Sequence, residues 1–154
     1  MTVLAIAGIL LAIGLPSFRI LLGNMRIEAE TARFVAAINA ARSEAITSGH
    51  TVIITATAPV AANEWGGGLS VFRDLDKTHD TTTAGDTLVG NLEAMRPVFN
   101  STTNQTTYAF RSSGMTTLAA QDTVTVCDGR TGERGRTITI LVSGIVDVDP
   151  LTCP

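Results

Sequence analysis

The first eighteen residues, MTVLAIAGILLAIGLPSF, contain no charged side chain, and this run limits what the chain can be more than any other feature. A helix needs about 20 apolar residues to cross a bilayer core, so the run is slightly short, even with Ile20, Leu21 and Leu22 added beyond Arg19. A cleaved secretory signal would open with basic residues and end at a small-residue site, and neither is found here. We interpret the segment as a retained membrane anchor, with an unusually apolar buried helix as the alternative.

The composition of the whole chain predicts one compact domain with an appendage. Of the 154 residues, 45% are apolar and 16% are charged, which suits one hydrophobic core and lacks the polar excess of a disordered chain. The formal net charge of −3 argues against attraction of the whole molecule to nucleic acid. We predict an apolar transmembrane helix at residues 1–22 and a compact head domain at residues 23–154.

Residues 20–48 follow the pattern of an amphipathic helix. Apolar side chains recur at the spacing of one helical face. They are Ile27, Phe34, Ile38, Ala41 and Ala45. Gly23 and Asn24 are expected to weaken this helix, and Ser48-Gly49 is predicted to end it.

Beyond Gly49 the chain consists of short runs rich in Thr, Val and Ile, separated by Gly, Asn, Asp and Pro, which is typical of antiparallel strands. The predicted strands are residues 51–56, 68–73, 87–92, 106–111, 123–127, 136–142 and 145–148. Ser143-Gly144 is predicted to form a two-residue hairpin turn. The expected fold class is therefore α+β, with a long N-terminal helix whose apolar first half projects and whose second half packs on an antiparallel sheet.

Two cysteines, Cys127 and Cys153, lie in the last quarter of the sequence. Their spacing fits no metal motif, and the two histidines, His50 and His79, are distant from both in sequence. If the domain is exported, a disulfide joining the last residues to a strand is the natural interpretation. The alternative is two free thiols in the core.

The titratable residues form no recognised catalytic pattern. His50 and His79 adjoin no serine or cysteine nucleophile motif, so we interpret them as solvated and expect neither a cofactor nor an enzymatic activity. Four acidic residues in one stretch are reminiscent of a calcium loop. They are Asp74, Asp76, Asp80 and Asp86. That stretch lacks the glycine and the glutamate such a loop requires, so a solvated acidic loop is favoured.

The apolar run with Pro16 leads into a helix that ends ARSEAITSGH. The chain resembles type IV pilins in this region. The motif at residues 41–45, Trp65, the run LSVFRD and the two cysteines also fall in the order seen in the minor pilins and pseudopilins of the FimT/FimU/GspH group. The resemblance covers nearly the whole chain. It implies the pilin-like fold described above.

The resemblance also implies a function. The chain is expected to be a structural subunit of a type IV pilus or of a type II secretion pseudopilus. It would cross the bacterial inner membrane once, hold its head in the periplasm, and meet other pilin subunits, the inner-membrane assembly platform and, as a precursor, the prepilin peptidase. The residues expected in the membrane or filament core are Leu4, Ile6, Gly8, Ile9, Leu10, Ile13 and Pro16. Alignment on Pro16 suggests that a leader and about six mature residues precede Met1 in the full protein.

Some FimT-like pilins capture DNA through a C-terminal Gly-Arg-x-Arg motif. The matching turn here reads Gly-Ile-Val-Asp from Gly144, so it has no arginine and carries an aspartate. A second loop contains Arg130, Arg134 and Arg136, but two acidic residues reduce its net charge to +1. We interpret this loop as solvated or as a subunit contact, and DNA binding in natural transformation is the alternative function. A membrane-tethered periplasmic enzyme is disfavoured.

Overall fold

The computed structural model describes residues 2–57, 65–75, 85–130 and 132–154, with only the backbone described over residues 2–17. Within these residues the chain forms one helix followed by eight strands. They are α1 (Thr2–Ser48), β1 (Thr51–Ala56), β2 (Leu69–Asp74), β3 (Thr87–Leu92), β4 (Val98–Ser101), β5 (Thr107–Phe110), β6 (Asp122–Cys127), β7 (Arg134–Ile140) and β8 (Val146–Thr152). The predicted α+β class is confirmed.

The apolar stripe of α1 is the face that packs on the strands. Its five predicted members are at most 2% exposed, and Thr31 is buried beside them. The predicted end of the helix at Ser48 is also confirmed, and the amide of Gly49 closes the last turn on the Ala45 carbonyl at 3.1 Å. The 3.6-residue periodicity therefore identified the buried face, and Ser48-Gly49 identified the C-terminal limit of the helix.

The strands form two antiparallel sheets rather than one. Their orders are β3-β2-β1-β5 and β4-β6-β7-β8. The strand β4 was not predicted, because it has only four residues, follows Pro97 and contains Asn100 and Ser101, which favour turns. It pairs with β6, so that Phe99 faces Val126 across the ladder. Each sheet contributes an apolar inner face to the same core.

The last hairpin differs from the prediction in both strand length and turn. The strand β8 extends to Thr152, beyond the predicted limit of residue 148. The predicted two-residue turn is wrong. The Gly144 amide donates to the Leu141 carbonyl at 2.8 Å, and the Leu141 amide donates to the Ile145 carbonyl at 2.9 Å. With Gly144 at φ 79°, this is a three-residue loop with its last residue in the left-handed region.

Aromatic side chains join the helix to both sheets. The ring of Phe34 lies 5.1 Å from that of Phe99 and 5.7 Å from that of Trp65, between centroids. Trp65 in turn stacks on Tyr108 of β5 at 4.6 Å, and its indole nitrogen donates to the Gln105 carbonyl at 2.8 Å. Burying each such ring contributes about 1.5–3 kcal/mol. Phe34 is therefore the point at which α1 joins an aromatic cluster that reaches both sheets.

A buried carboxylate links the two sheets. Asp122, at the start of β6, accepts hydrogen bonds from the Tyr108 hydroxyl at 2.5 Å and the Ser101 hydroxyl at 2.7 Å. Burial acts to raise the pKa of Asp122, but these hydrogen bonds outweigh it and hold that pKa below its ordinary value. Burial and the adjacent carboxylate raise the pKa of Tyr108 far above its ordinary value. The pair is therefore a neutral phenol donating to an ionised carboxylate.

Candidate functional site

The helix α1 leaves the head near Arg26. Its buried side chains begin at Ile27, whereas Phe18, Leu21 and Met25 are 57%, 52% and 60% exposed. At about 1.5 Å per residue, the 47-residue helix is roughly 70 Å long, so only part of it can lie against the strands. Part of the helix therefore extends beyond the packed core.

The predicted filament residues lie in the N-terminal part of α1. They are Leu4, Ile6, Gly8, Ile9, Leu10, Ile13 and Pro16. Their backbone is helical, and their side chains lie outside the described residues. Over the residues whose side chains the structure describes, no helix is both long and apolar enough to cross a bilayer.

The ARSEA motif at residues 41–45 attaches the helix to the strands and a turn. Four of its five side chains are buried, hydrogen-bonded or ion-paired, each with its own partner. Ala41 and Ala45 are buried against the strands. Arg42 donates from Nε to the Gly114 carbonyl at 2.9 Å, and Glu44 forms an ion pair with Arg73 of β2. The motif therefore fixes the C-terminal end of α1 to a turn on one side and to a strand on the other. The motif contributed to the family resemblance in the sequence, but these contacts were not predicted from it.

The arginine of this motif also lies beside two similar turns. The turn from Arg111 to Met115 has the same hydrogen-bond pattern as the turn that contains Gly144. A side chain at Gly144 would collide with the Gly114 carbonyl and come within 3.1 Å of the Arg42 Nε. The turn at Gly144 is therefore packed against Gly114 and the Arg42 side chain of the helix.

The two cysteines form the disulfide that the sequence suggested. Cys127 ends β6, Cys153 follows β8, and their Cα atoms are 5.9 Å apart. Because β7 lies between those strands, the bond has to cross it, and it does so over Gly135. A Cβ atom at Gly135 would lie 2.6 Å from the Cys153 Sγ. Gly135 is the sequence feature that indicates this crossing of β7, and the crossing was not predicted.

The three arginines that the sequence assigned to one loop lie in two elements and have different environments. Arg130 is in the connection between β6 and β7, whereas Arg134 and Arg136 belong to β7. Arg130 pairs with Asp128 at 2.7 Å and donates to the Asn24 side chain of α1 at 3.1 Å. Arg136 forms an ion pair with Glu28 of α1. Arg134 is exposed and, within the described part of the chain, has no ion pair. Arg130 thus holds the loop, and Arg136 holds the start of β7, against the helix.

Comparison with known proteins gives the chain its family. The profile of one family, type II transport protein GspH, matches residues 30–144, about three quarters of the chain. The chain belongs to the GspH family. No curated protein matches this GspH-family chain in sequence.

Solved structures share the fold of this GspH-family protein. The type IV minor pilin FimU of Pseudomonas aeruginosa, strain PAO1, matches in two crystal forms with TM-scores of 0.66 and 0.64 at 19% and 20% identity. These matches cover 85% and 82% of this chain, and 97% and 99% of FimU. The minor pseudopilin EpsH of the Vibrio cholerae type 2 secretion system matches with a TM-score of 0.52 at 14% identity, over 82% of this chain and 97% of EpsH. The predicted resemblance to minor pilins and pseudopilins is confirmed.

Of the residues considered for catalysis or metal binding in this GspH-family head, the structure describes His50, Asp74 and Asp86. His50 is exposed after α1 and its ring contacts the Ser48 carbonyl at 2.8 Å. Asp74 is buried at the end of β2, and Asp86 accepts a hydrogen bond from the Leu75 amide at 3.3 Å. His79, Asp76 and Asp80 lie outside the described residues. Over the described ranges, no three His, Cys, Asp or Glu side chains are placed to share a metal ion.

Proposed function

We propose that this chain is a minor pilin or pseudopilin, a structural subunit that takes part in assembling a type IV pilus or a type II secretion pseudopilus. Residues 1–22 would hold it in the bacterial inner membrane, with residues 23–154 as a periplasmic head. During assembly the helix would exchange contacts with lipid for contacts with the helices of other subunits. Membership of the GspH family and the shared fold with FimU and EpsH support this role.

The observation that carries the proposal is the division of α1 into two parts. From Ile27 to Ala45 the helix contributes the side chains that form the core of the head. From Phe18 to Met25 its large apolar side chains are exposed, although the helix continues without a break. An exposed apolar helix is costly in water, so this part requires lipid or neighbouring helices around it.

The exposed side of the packed half also suits contact with other subunits. Ala32, Ala36 and Ala40 are exposed at four-residue intervals, so they form a strip of small side chains along α1. Small residues let helices approach closely. We propose that other pilin subunits are the main partners, together with the inner-membrane assembly platform and, on the precursor, the prepilin peptidase.

We propose no enzymatic activity, because the family role is structural and assembly requires packing surfaces rather than a reactive group. DNA capture is not favoured. The turn at Gly144 packs against Gly114 and Arg42 instead of presenting cations, and Arg130 and Arg136 are occupied by pairs within the molecule.

Crosslinking in cells tests the proposal. A photoreactive amino acid replaces Leu10 in the full precursor, and the crosslinked products are identified by mass spectrometry. We expect crosslinks to other pilin or pseudopilin subunits, which disappear when the same variant is expressed in cells that lack the assembly platform. Crosslinks to lipid alone, in cells that are assembling filaments, would show that the helix is only a membrane tether.

A gene deletion provides the second test. Loss of the gene should reduce surface pili or the secretion of exported proteins, and the intact gene should restore the lost process. A version without residues 1–22, exported by a separate signal, should fold but fail to restore it. Full restoration by that version would contradict a role for the helix in assembly.

A further inference from the structure

Four arginines surround a cleft at the base of the head, where α1 leaves it. The cleft has a volume of about 410 Å³ and is lined by Arg19, Arg26, Arg96 and Arg130, with Asp128 as its one acidic member among the described residues. We call it the basic cleft. Its lining carries a net charge of +3, although the whole chain carries −3. Positive charge therefore dominates the lining of this cleft.

Three separate segments of the chain supply these arginines. Arg19 and Arg26 are two helical turns apart and share one face of α1. Arg96 lies in the connection between β3 and β4, and Arg130 lies between β6 and β7. Because no sequence pattern unites the three segments, only the fold brings the charges together.

One of the arginines is held in place and the others are available. Arg130 is fixed by Asp128 and by the side chain of Asn24, and its buried Nη1 atom has no hydrogen-bond acceptor among the described residues, with Glu133 3.6 Å away. Over the same part of the chain, no carboxylate lies within ion-pair distance of Arg19, Arg26 or Arg96. A guanidinium group left without a carboxylate can bind an external phosphate through two parallel hydrogen bonds.

The surroundings of the basic cleft indicate where that phosphate comes from. Phe18, Leu21, Leu22 and Met25 are exposed on the same stretch of α1, and the uncharged run of the sequence ends immediately before Arg19. Arginines interspersed with exposed apolar side chains at the end of an apolar segment are typical of a protein at a membrane surface. There the apolar side chains enter the acyl region and the arginines lie level with the headgroups.

We propose that the basic cleft binds the phosphate of an anionic phospholipid while the subunit is held in the membrane. This rests on the proposed function, because it requires residues 1–22 to lie in the bilayer. The lipid fixes the depth of the helix and the orientation of the head before assembly. Each arginine near an anionic membrane surface strengthens binding by roughly fivefold.

The test uses the full chain in an uncharged detergent, titrated calorimetrically with short-chain phosphatidylglycerol and, separately, with phosphatidylcholine of the same chain length. We expect phosphatidylglycerol to bind at least tenfold more tightly. The triple variant R19Q/R26Q/R96Q should weaken its binding by about tenfold or more, because it removes charge-assisted hydrogen bonds to the phosphate. A matched control, R33Q/R111Q/R134Q, removes the same charge outside the basic cleft and should change binding by less than about twofold.

Three outcomes would overturn the inference. Equal weakening in the two triple variants would mean that overall charge, not the cleft, attracts the lipid. Displacement of phosphatidylglycerol by an equal concentration of inorganic phosphate would mean that free phosphate is the ligand. Tighter binding of duplex DNA than of phosphatidylglycerol at moderate salt, lost in R19Q/R26Q/R96Q, would identify a nucleic-acid site.

This measurement is independent of the crosslinking experiment on Leu10, because it needs no insertion into a bilayer. A chain that crosslinks to other subunits but does not distinguish the two lipids keeps its proposed function and lacks the lipid site. A chain that selects phosphatidylglycerol but never crosslinks contradicts the proposed function, while the chemistry of the basic cleft remains.

Discussion

Removal of the disulfide should cost the head a large part of its stability. Cys127 and Cys153 are 26 residues apart, so the bond closes a loop that contains the whole β7–β8 hairpin. The chain-entropy relation for a loop of that length gives about 3.5 kcal/mol at 25 °C. The stability of a domain is commonly about 5–15 kcal/mol, so the loss would be a substantial fraction of the total. We expect the double variant C127S/C153S to fold with a much lower resistance to urea.

The contacts around the bond indicate which part of the head would open first. The Gly132 amide donates to the Cys153 carbonyl at 2.9 Å, and the Cys153 amide donates to the Glu133 carbonyl at 3.0 Å. These hydrogen bonds hold the last residues against the loop that carries Arg130. Without the covalent link, the end of β8 and this loop should separate from the rest of the sheet before the core unfolds.

The assay is equilibrium unfolding in urea of the full chain in detergent, followed by the fluorescence of Trp65, with and without reductant. Mass measurement after alkylation establishes the oxidation state of each sample. The reduced wild type and C127S/C153S should unfold at the same urea concentration, well below that of the oxidised protein. A difference of less than about 1 kcal/mol between oxidised and reduced protein would refute the loop-entropy reasoning.

Three further predictions concern the packing of the head, each measured by urea unfolding. Phe34→Ala should lose about 3–5 kcal/mol because it opens a cavity between Trp65 and Phe99, whereas Ala36→Ser on the exposed side of α1 should change little. Arg42→Ala should lose about 1–3 kcal/mol because it leaves the Gly114 carbonyl without its donor, and Arg111→Ala, an exposed control, should lose less than about 0.5 kcal/mol. Folding lowers the pKa of Asp122. The ionised carboxylate therefore contributes its full stabilisation of the folded state above its unfolded pKa of about 4, and this stabilisation is lost as the pH falls through the folded-state pKa. Asp122→Asn should therefore abolish this part of the acid sensitivity, and an unchanged pH profile would disprove the assignment.

Local patterns predicted the elements of the fold better than their arrangement. The stripe from Ile27 to Ala45 repeats along a single helix, so periodicity alone identifies its buried face. The division of the strands into two sheets depends on which strands meet in space, and no short segment encodes that. The short strand β4 is recognisable only because β6 pairs with it.

The contacts of the candidate site were hidden for the same reason. Asp122 and Ser101 are 21 residues apart, and Arg130 and Asn24 are 106 apart. Such pairs leave no periodic signal in the sequence. The cysteines could be paired from the sequence because there were only two of them and the resemblance placed the domain outside the cytoplasm.

Gly23 shows how the fold can reverse the meaning of a sequence feature. Within a helix, glycine costs about 1 kcal/mol relative to alanine, so Gly23 and Asn24 together suggested a weak point in α1. In the structure, the guanidinium of Arg130 lies against Gly23 and donates to Asn24, and a side chain at Gly23 would have to displace it. Gly23 and Asn24 would destabilise an isolated helix. Here they are the residues through which the disulfide-bonded sheet contacts α1. Because Arg136 and Glu28 repeat this contact about one turn further along, the exit of the helix from the head is braced at two points. A pull on the apolar segment during assembly would then be transmitted to the β6–β8 sheet as well as to the core around Phe34.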